Sequence, residues 1–325
     1  MRDLALVGIL PLLIYCSLKR PFIAVGLWLW VSAFNLNQLV YGFAGSIPFA
    51  KLFAGLTIMS FFLSKDKSVM KMEMLTFLII SFYIVATLSN TYGIGNESVA
   101  SARWTLFTKI ILFYFFAVAI FSKRLHFDFI AWMLVISIGA IASSEGGKFL
   151  LSGGGHRAPF IRGISGDNNF FGVMIVTVIP FAFYLHGQTK HKIIKQGLLA
   201  VIVFMILGVF STYSRGAFLG LMVFVVFYWN SSDKKVLWLI GLGVILLIAS
   251  NFMPEAWMTR MDSVETADTD SSFMGRVIAW KIAILIAMDN FLGGGFKAIE
   301  NINGPITKAL QNINSSDQAK IDKTL

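Results

Sequence analysis

Residues 196–232 read QGLLAVIVFMILGVFSTYSRGAFLGLMVFVVFYWNSS, and Arg215 is the only charge between Lys195 and Asp233. A membrane-crossing helix needs about 20 mainly apolar residues. This stretch supplies two such runs, 196–214 and 216–232, joined by a short polar turn. Runs this continuous read as helices, because strands of a membrane barrel alternate polar and apolar residues over about ten positions.

The same pattern extends in both directions. Stretches free of Asp, Glu, Lys and Arg cover 4–18, 21–50, 52–64, 74–96, 110–122, 129–144, 168–189, 196–214, 216–232 and 236–254. The short ones lengthen through flanking Lys or Arg, whose long side chains snorkel. The 110–122 run also extends back past Lys109 to Trp104. The expected fold is all-α: a polytopic α-helical integral membrane protein with about ten transmembrane helices, plus an interfacial helix described below. Composition agrees. The chain is 57% hydrophobic and 14% charged, against about 25% charged in an ordinary soluble domain. So few charges exclude a cytosolic enzyme and a disordered protein. The single cysteine, Cys16, excludes an internal disulfide and a multi-Cys zinc site, and reads as a small buried or lipid-facing residue. Residues 4–18 lack a small-residue cleavage site and run into Lys19-Arg20, which suits a retained segment rather than a signal peptide.

The net charge is +10, but the basic residues form short clusters between apolar runs, with no continuous stripe. Membrane topology explains them, and nucleic acid is not an expected partner. Every second connection is basic: Lys19-Arg20, Lys65/Lys67/Lys71, Lys123-Arg124, Lys190/Lys192/Lys195 and Lys234-Lys235. The positive-inside rule puts these on the cytoplasmic side. The N-terminus, the connections 35–46, 90–103, 143–169 and 211–215, and the region after Asn251 then lie outside. Seven of the nine arginines (Arg2, Arg103, Arg157, Arg162, Arg215, Arg260 and Arg276) fall on that outer side, against the topological bias. Lysine alone satisfies positive-inside, whereas arginine is the better bidentate ligand for phosphate. The excess points to an outer site for a phosphorylated or acidic ligand; the bland alternative is scatter plus contacts with anionic lipid.

Four segments carry candidate chemistry. In Ser211-Thr212-Tyr213-Ser214-Arg215-Gly216-Ala217, a lone Arg at the membrane surface needs a partner, Gly216 permits close backbone approach, and Ser211 and Ser214 offer hydroxyl donors. This reads as a phosphate clamp, or as an interfacial Arg that snorkels. In the loop 143–169 a glycine-rich turn precedes His156, Arg157 and Arg162, and Asp167, Asn168 and Asn169 meet the next helix at Phe170. One of those three caps the helix; the others suit a sugar- or phosphate-binding role. His156 reads as a solvated loop residue, with a general base as the alternative. The acidic stretch 262–270 lacks the ligand spacing of a calcium loop. Beyond it, positions 277, 278, 282, 284, 285, 288, 291 and 292 form an apolar face for an amphipathic helix over about 273–292, which starts near Arg276 and Lys281 and stops at Gly293-Gly294-Gly295-Phe296. Lys109 and Asp128, as intramembrane charges, are functional candidates or structural pairs. No internal repeat is visible.

The Ser214-Arg215-Gly216-Ala217 turn, followed by Arg276, Trp280 and Gly293-Gly294-Gly295-Phe296, resembles the O-antigen ligase and polymerase superfamily. Met1-Arg2-Asp3-Leu4, Arg20-Pro21-Phe22 and Gly166-Asp167-Asn168-Asn169-Phe170 look more specifically like its O-glycosylation ligase branch, associated with exosortase A systems. The resemblance covers most of the chain. It implies a family-specific N-terminal part over about 1–165 and a ligase-like core from about 166, within a helical bundle over 1–252 and a periplasmic loop over 253–325. It also implies a polyprenyl-pyrophosphate-linked glycan donor, a glycan, lipid or protein acceptor, and no metal or nucleotide cofactor. Arg215 and Arg276 match the arginines that hold the pyrophosphate; Ser214, Arg162, Arg157, Asp167, Asn168 and Asn169 are the accompanying substrate-binding candidates. The family's general-base histidine follows the Gly-Gly-Gly-Phe region. Residues 297–325 contain no histidine, so that base is expected beyond Leu325 and the chain reads as C-terminally truncated. An O-antigen polymerase differs mainly in the acceptor. A flippase or transporter for a lipid-linked sugar is the alternative of another class, and it predicts ionisable residues along a central pathway.

Overall fold

Hydrocarbon offers no partner for a backbone amide, so an isolated crossing segment must close its own hydrogen bonds as a helix. The computed structural model describes residues 2–34, 36, 42–64, 73–158, 168–232, 235, 243 and 271–298. Among them, nine of the ten expected runs are helical and there is no strand; the tenth, 236–254, lies outside the described residues apart from position 243. The helices are α1 Arg2–Lys19, α2 Pro21–Phe34, α3 Phe49–Leu63, α4 Met74–Thr91, α5 Glu97–Ile120, α6 Arg124–Leu134, α7 Ala140–Leu151, α8 Asn168–Gln188, α9 Lys192–Ser211, α10 Arg215–Asn230 and α11 Ser271–Asp289. A π turn, Val135–Gly139, links α6 to α7, so that Arg124–Leu151 forms one span. Among the described residues, five spans are long and apolar enough to cross a membrane (α4, α5, α6–α7, α8 and α9), and shorter apolar helices accompany them. The protein is an all-α polytopic membrane protein.

Two boundaries differ from the sequence expectation. The outer connection expected from residue 143 is helical as far as Leu151. Glu145, which made this stretch look like a loop, is only 4% exposed, and its charge is met by Lys148 and His156. A paired carboxylate no longer opposes burial. The connection expected over 90–103 ends at Glu97, because the Asn96 side chain accepts from the Ser98 amide and hydroxyl and caps α5.

The chain forms two compact units. The first comprises Met1–Ser68 and Phe116–Met261. Its core is built on α8 and α9, where Phe171, Ile175, Ile179, Met205 and Val209 are almost wholly buried. Glycines let α7 and α9 meet backbone to backbone. A Cβ on Gly146 would lie 2.0 Å from the Phe204 carbonyl oxygen, and one on Gly208 would lie 2.5 Å from that of Ala142. Small residues at such crossings are the usual means of close helix approach in membranes. At the N-terminus the Asp3 carboxylate accepts from the amides of Gly42 and Ala44.

The second unit comprises Val69–Phe115 and Asp262–Leu325. The Trp104 indole donates to the Thr87 hydroxyl at 3.1 Å, and the hydroxyls of Tyr83 and Thr108 lie 3.2 Å apart, tying α4 to α5. Only 6% of the apolar window of α4 and 11% of that of α5 is buried against protein, compared with 44% for α9. Apolar side chains such as Leu75, Phe77 and Phe82 stand exposed on α4, as lipid-facing positions do. On α11 the buried stripe is Ile278, Ile282 and Ile286, packed with Ala298 and Ile94. Of the expected apolar face, Ile278 and Ile282 lie in this stripe, while Ile284, Met288 and Phe291 are exposed, along with Trp280, as lipid-facing positions are. Spacings of four residues generate two apolar stripes here, and hydropathy alone could not say which one meets protein. The helix ends at Asp289, short of the expected stop at the glycines; in the turn that follows, Gly293 and Gly295 have φ of 77° and 75°, a region that costs glycine nothing.

Candidate functional site

The C-terminus of α7, the N-terminus of α8, the C-terminus of α9 and the N-terminus of α10 meet at one end of the first unit. The turn between α9 and α10 is the centre of this cluster. Thr212, fully buried, donates its hydroxyl to Val209 O and accepts from Ser214 N. Tyr213 takes a left-handed φ of 53°, which costs a non-glycine residue about 1–3 kcal/mol. Its hydroxyl donates to Gly154 O at 2.9 Å, and the Arg157 guanidinium lies over its ring, 5.9 Å from the centroid. Ala158 N donates to Ser211 O at 2.8 Å. The segment after α7 is therefore stitched to the turn by three different contacts.

Ser214 is the N-cap of α10. Its Oγ accepts from Ala217 N at 3.1 Å and donates to Asn169 Oδ1 at 2.7 Å. Asn168 and Asn169 are the first two residues of α8. With the Asn168 amide turned so that its oxygen faces Arg157, Nε and Nη2 of that guanidinium both donate to it at 3.0 Å. Arg215, half-buried, is the first residue of α10, so its charge sits where the helix dipole is positive and the backbone amides lack helical acceptors.

The structure thus brings together Arg157, Asn168, Asn169, Ser214 and Arg215. Arg162 and Asp167 lie outside the described residues. Arg276 belongs to the second unit, exposed on α11. Three expectations change. Ser211 does not offer its hydroxyl outward: it is fully buried and donates to Gly208 O. Gly216 is exposed with no atom nearer than 4.0 Å to a Cβ built there; the close approach is at Gly172, where a Cβ would meet Ala217 Cβ at 2.4 Å. His156 is not a solvated loop residue, since its Nε2 lies 2.6 Å from Glu145 Oε2. Sequence reading missed Glu145, Tyr213 and Gly172; a lone carboxylate at the end of an apolar run, with Lys148 and His156 close behind it, was the available signal for the first. Of the two intramembrane charges, Asp128 accepts from the Tyr184 hydroxyl at 2.6 Å, and Lys109 is exposed on α5.

Replacing Ser214 by Ala removes the cap of α10 and the link to Asn169 together. Loss of such a cap costs about 0.5–2 kcal/mol. The detergent-solubilised variant should show a lower thermal midpoint, while Ser214→Asn, which restores a capping oxygen, should recover most of it.

The fold and the cluster define a polytopic membrane protein that gathers arginine, amide and hydroxyl groups at one end of its helices. Residues 1–190 match a family of unknown function, DUF5935, and the chain belongs to that family. Residues 200–320 match the O-antigen ligase family, which supports membership of the ligase superfamily. No curated protein matches the chain, and no solved structure does.

Proposed function

We propose that the chain transfers a glycan from a polyprenyl-pyrophosphate carrier to an acceptor hydroxyl at the outer, periplasmic face of the inner membrane. In finer terms it is an O-glycosylation ligase of the exosortase-associated branch. The O-antigen ligase match supports this and spans the Ser214–Ala217 turn, Arg276 and the Gly293–Phe296 segment. The observation that carries the reading is Arg215 at the N-terminus of α10, where a guanidinium at the positive end of the helix dipole suits a phosphate.

In the reaction the acceptor oxygen bonds to the anomeric carbon of the donor. The bond from that carbon to the pyrophosphate oxygen breaks, and the electron pair leaves with the pyrophosphate. A general base takes the hydroxyl proton. Positive charge fixed where the leaving group becomes more negative lowers the barrier. Arg215 meets the pyrophosphate, Arg276 is the second cation that the resemblance implies, and Arg157, Asn168 and Asn169 hold the turn in place. Proteoliposomes carrying the full-length protein, a polyprenyl-pyrophosphate-linked oligosaccharide and candidate acceptors test this directly; failure to consume the donor with any acceptor overturns it.

Orientation has its own test. In a Cys16→Ser background, a cysteine at position 160 should react with an impermeant maleimide in intact cells. One at position 192 should react only after permeabilisation. The opposite pattern places the cluster on the cytoplasmic side and removes the proposed site from the periplasm.

A further inference from the structure

A cleft of about 740 Å³ opens in the first unit between α6 and α8. Arg124 begins α6 and Gln188 ends α8, and both line the cleft, so the two helices pass antiparallel here. Ala131, only 1% exposed, forms the floor, and Phe127 and Phe181 are walls. At about 1.5 Å per residue, Gln188 lies about 30 Å along α8 from Asn168. The cleft is therefore at the opposite end of the span from the Arg215 cluster.

The cleft is apolar along its length and cationic at its mouth. Arg124 and Gln188 stand exposed at the ends of their helices. The stretches that border them, 121–124 and 188–195, carry Lys123, Arg124, Lys190, Lys192 and Lys195 and no carboxylate. The one acid on α6 is Asp128, whose carboxylate accepts from the Tyr184 hydroxyl at 2.6 Å. Arg124 faces the same hydroxyl, and a guanidinium with five N–H groups keeps donors for a ligand beside it. Aromatic walls beneath a guanidinium suit a ligand with an anionic head and an apolar tail. A free phosphate would leave Phe127 and Phe181 uncovered. A zwitterionic lipid would bring its own ammonium against the cations of the mouth. The phosphate of an anionic lipid meets them without that penalty, and basic pockets between helices at a membrane surface are a recurrent form of such a site.

We infer that this cleft binds one anionic phospholipid of the leaflet at that surface, with its phosphate on Arg124 and Gln188 and an acyl chain against Phe127, Phe181 and Ala131. The lipid bridges α6 and α8 and stabilises the first unit from the end remote from the candidate site. The inference needs neither the ligase reading nor a choice of which face is cytoplasmic.

The test is native mass spectrometry of the delipidated chain in detergent, titrated separately with phosphatidylglycerol and phosphatidylcholine. One phosphatidylglycerol should bind roughly tenfold more tightly than phosphatidylcholine, the worth of a charge-assisted hydrogen bond. Its addition should also raise the thermal midpoint, as any ligand of the folded state does. Arg124→Gln and, independently, Gln188→Glu should each bring phosphatidylglycerol down to the phosphatidylcholine level. Both positions are exposed, so neither change disturbs the core. Lys123→Gln removes an equal charge one residue outside the cleft, and should leave the affinity within about threefold, since exposed charges are worth little. Equal binding of the two lipids overturns the site. So does undiminished binding by Arg124→Gln, or an equal loss in Lys123→Gln, which would mean surface charge alone. Tighter binding of a polyprenyl phosphate than of phosphatidylglycerol overturns the choice of occupant.

Discussion

Arg215→Ala is expected to lower glycan transfer by about 100- to 1,000-fold, the loss typical of removing one positioned donor from a developing anion. In the proposed reaction the pyrophosphate gains charge as its bond to the sugar breaks, and Arg215, at the positive end of α10, is the group proposed to meet it. The substitution spares the fold. Ser214 still caps the helix and Ala217 N still donates to it, and alanine is the best helix former. Arg215→Lys should fall between the two, because lysine keeps the charge and loses the planar fork. The measurement is the gel shift of the glycosylated acceptor, normalised to membrane-inserted protein. Transfer within a few-fold of normal in the alanine variant would remove Arg215 from the reaction.

Gly146→Ala should destabilise the first unit by about 3 kcal/mol, the upper part of the usual range for overpacking. The added methyl would meet the Phe204 carbonyl oxygen at 2.0 Å and Gly208 N at 2.8 Å. Both obstacles are backbone, so α7 and α9 must separate rather than one side chain turn aside. Its neighbour is the control. A Cβ on Gly147 meets nothing nearer than Phe204 Cε1 at 3.9 Å, so Gly147→Ala should hold or gain up to about 1 kcal/mol from helix propensity. Thermal unfolding in detergent reads both. Similar midpoints for the two variants would refute the close crossing. The effect should also reach the candidate site, because Glu145 and the segment leading to Arg157 ride on α7.

The legible and the illegible parts of the protein divide by the range of the interactions involved. The spans could be read because a transmembrane helix is specified by its own residues. The glycine turn after α11 could be read for the same local reason, although the helix itself stops earlier, at Asp289. The N-terminus of α5 could not be placed, since Asn96 looked like one more loop residue until its side chain was seen to cap Ser98. Hydropathy marked α11 as apolar without saying which stripe meets protein: Ile282 and Ile284 are equally apolar, and only the presence of Ile94 and Ala298 on one side chooses between them.

The candidate site shows the same split. Arg157, Asn168, Asn169, Ser214 and Arg215 stood out as residue types, since arginine, amides and hydroxyls are conspicuous amid apolar runs. Their roles did not. Ser214 was read as a donor to a ligand, and it donates to Asn169, 45 residues away. His156 was read as solvated, and it pairs with a carboxylate eleven residues back, carried on a helix that was expected to be a loop.

The sequence by itself determined that this is an all-α membrane protein and which polar residues lie between its spans, because hydropathy and backbone hydrogen bonding act within each segment. Only the tertiary structure decided which of those residues meet. That depends on how glycines such as Gly146, Gly172 and Gly208 let helices approach, and on pairings across tens to hundreds of residues, such as Gly295 with Ser89. Such contacts arise from side-chain shape at helix crossings, which composition and periodicity do not record.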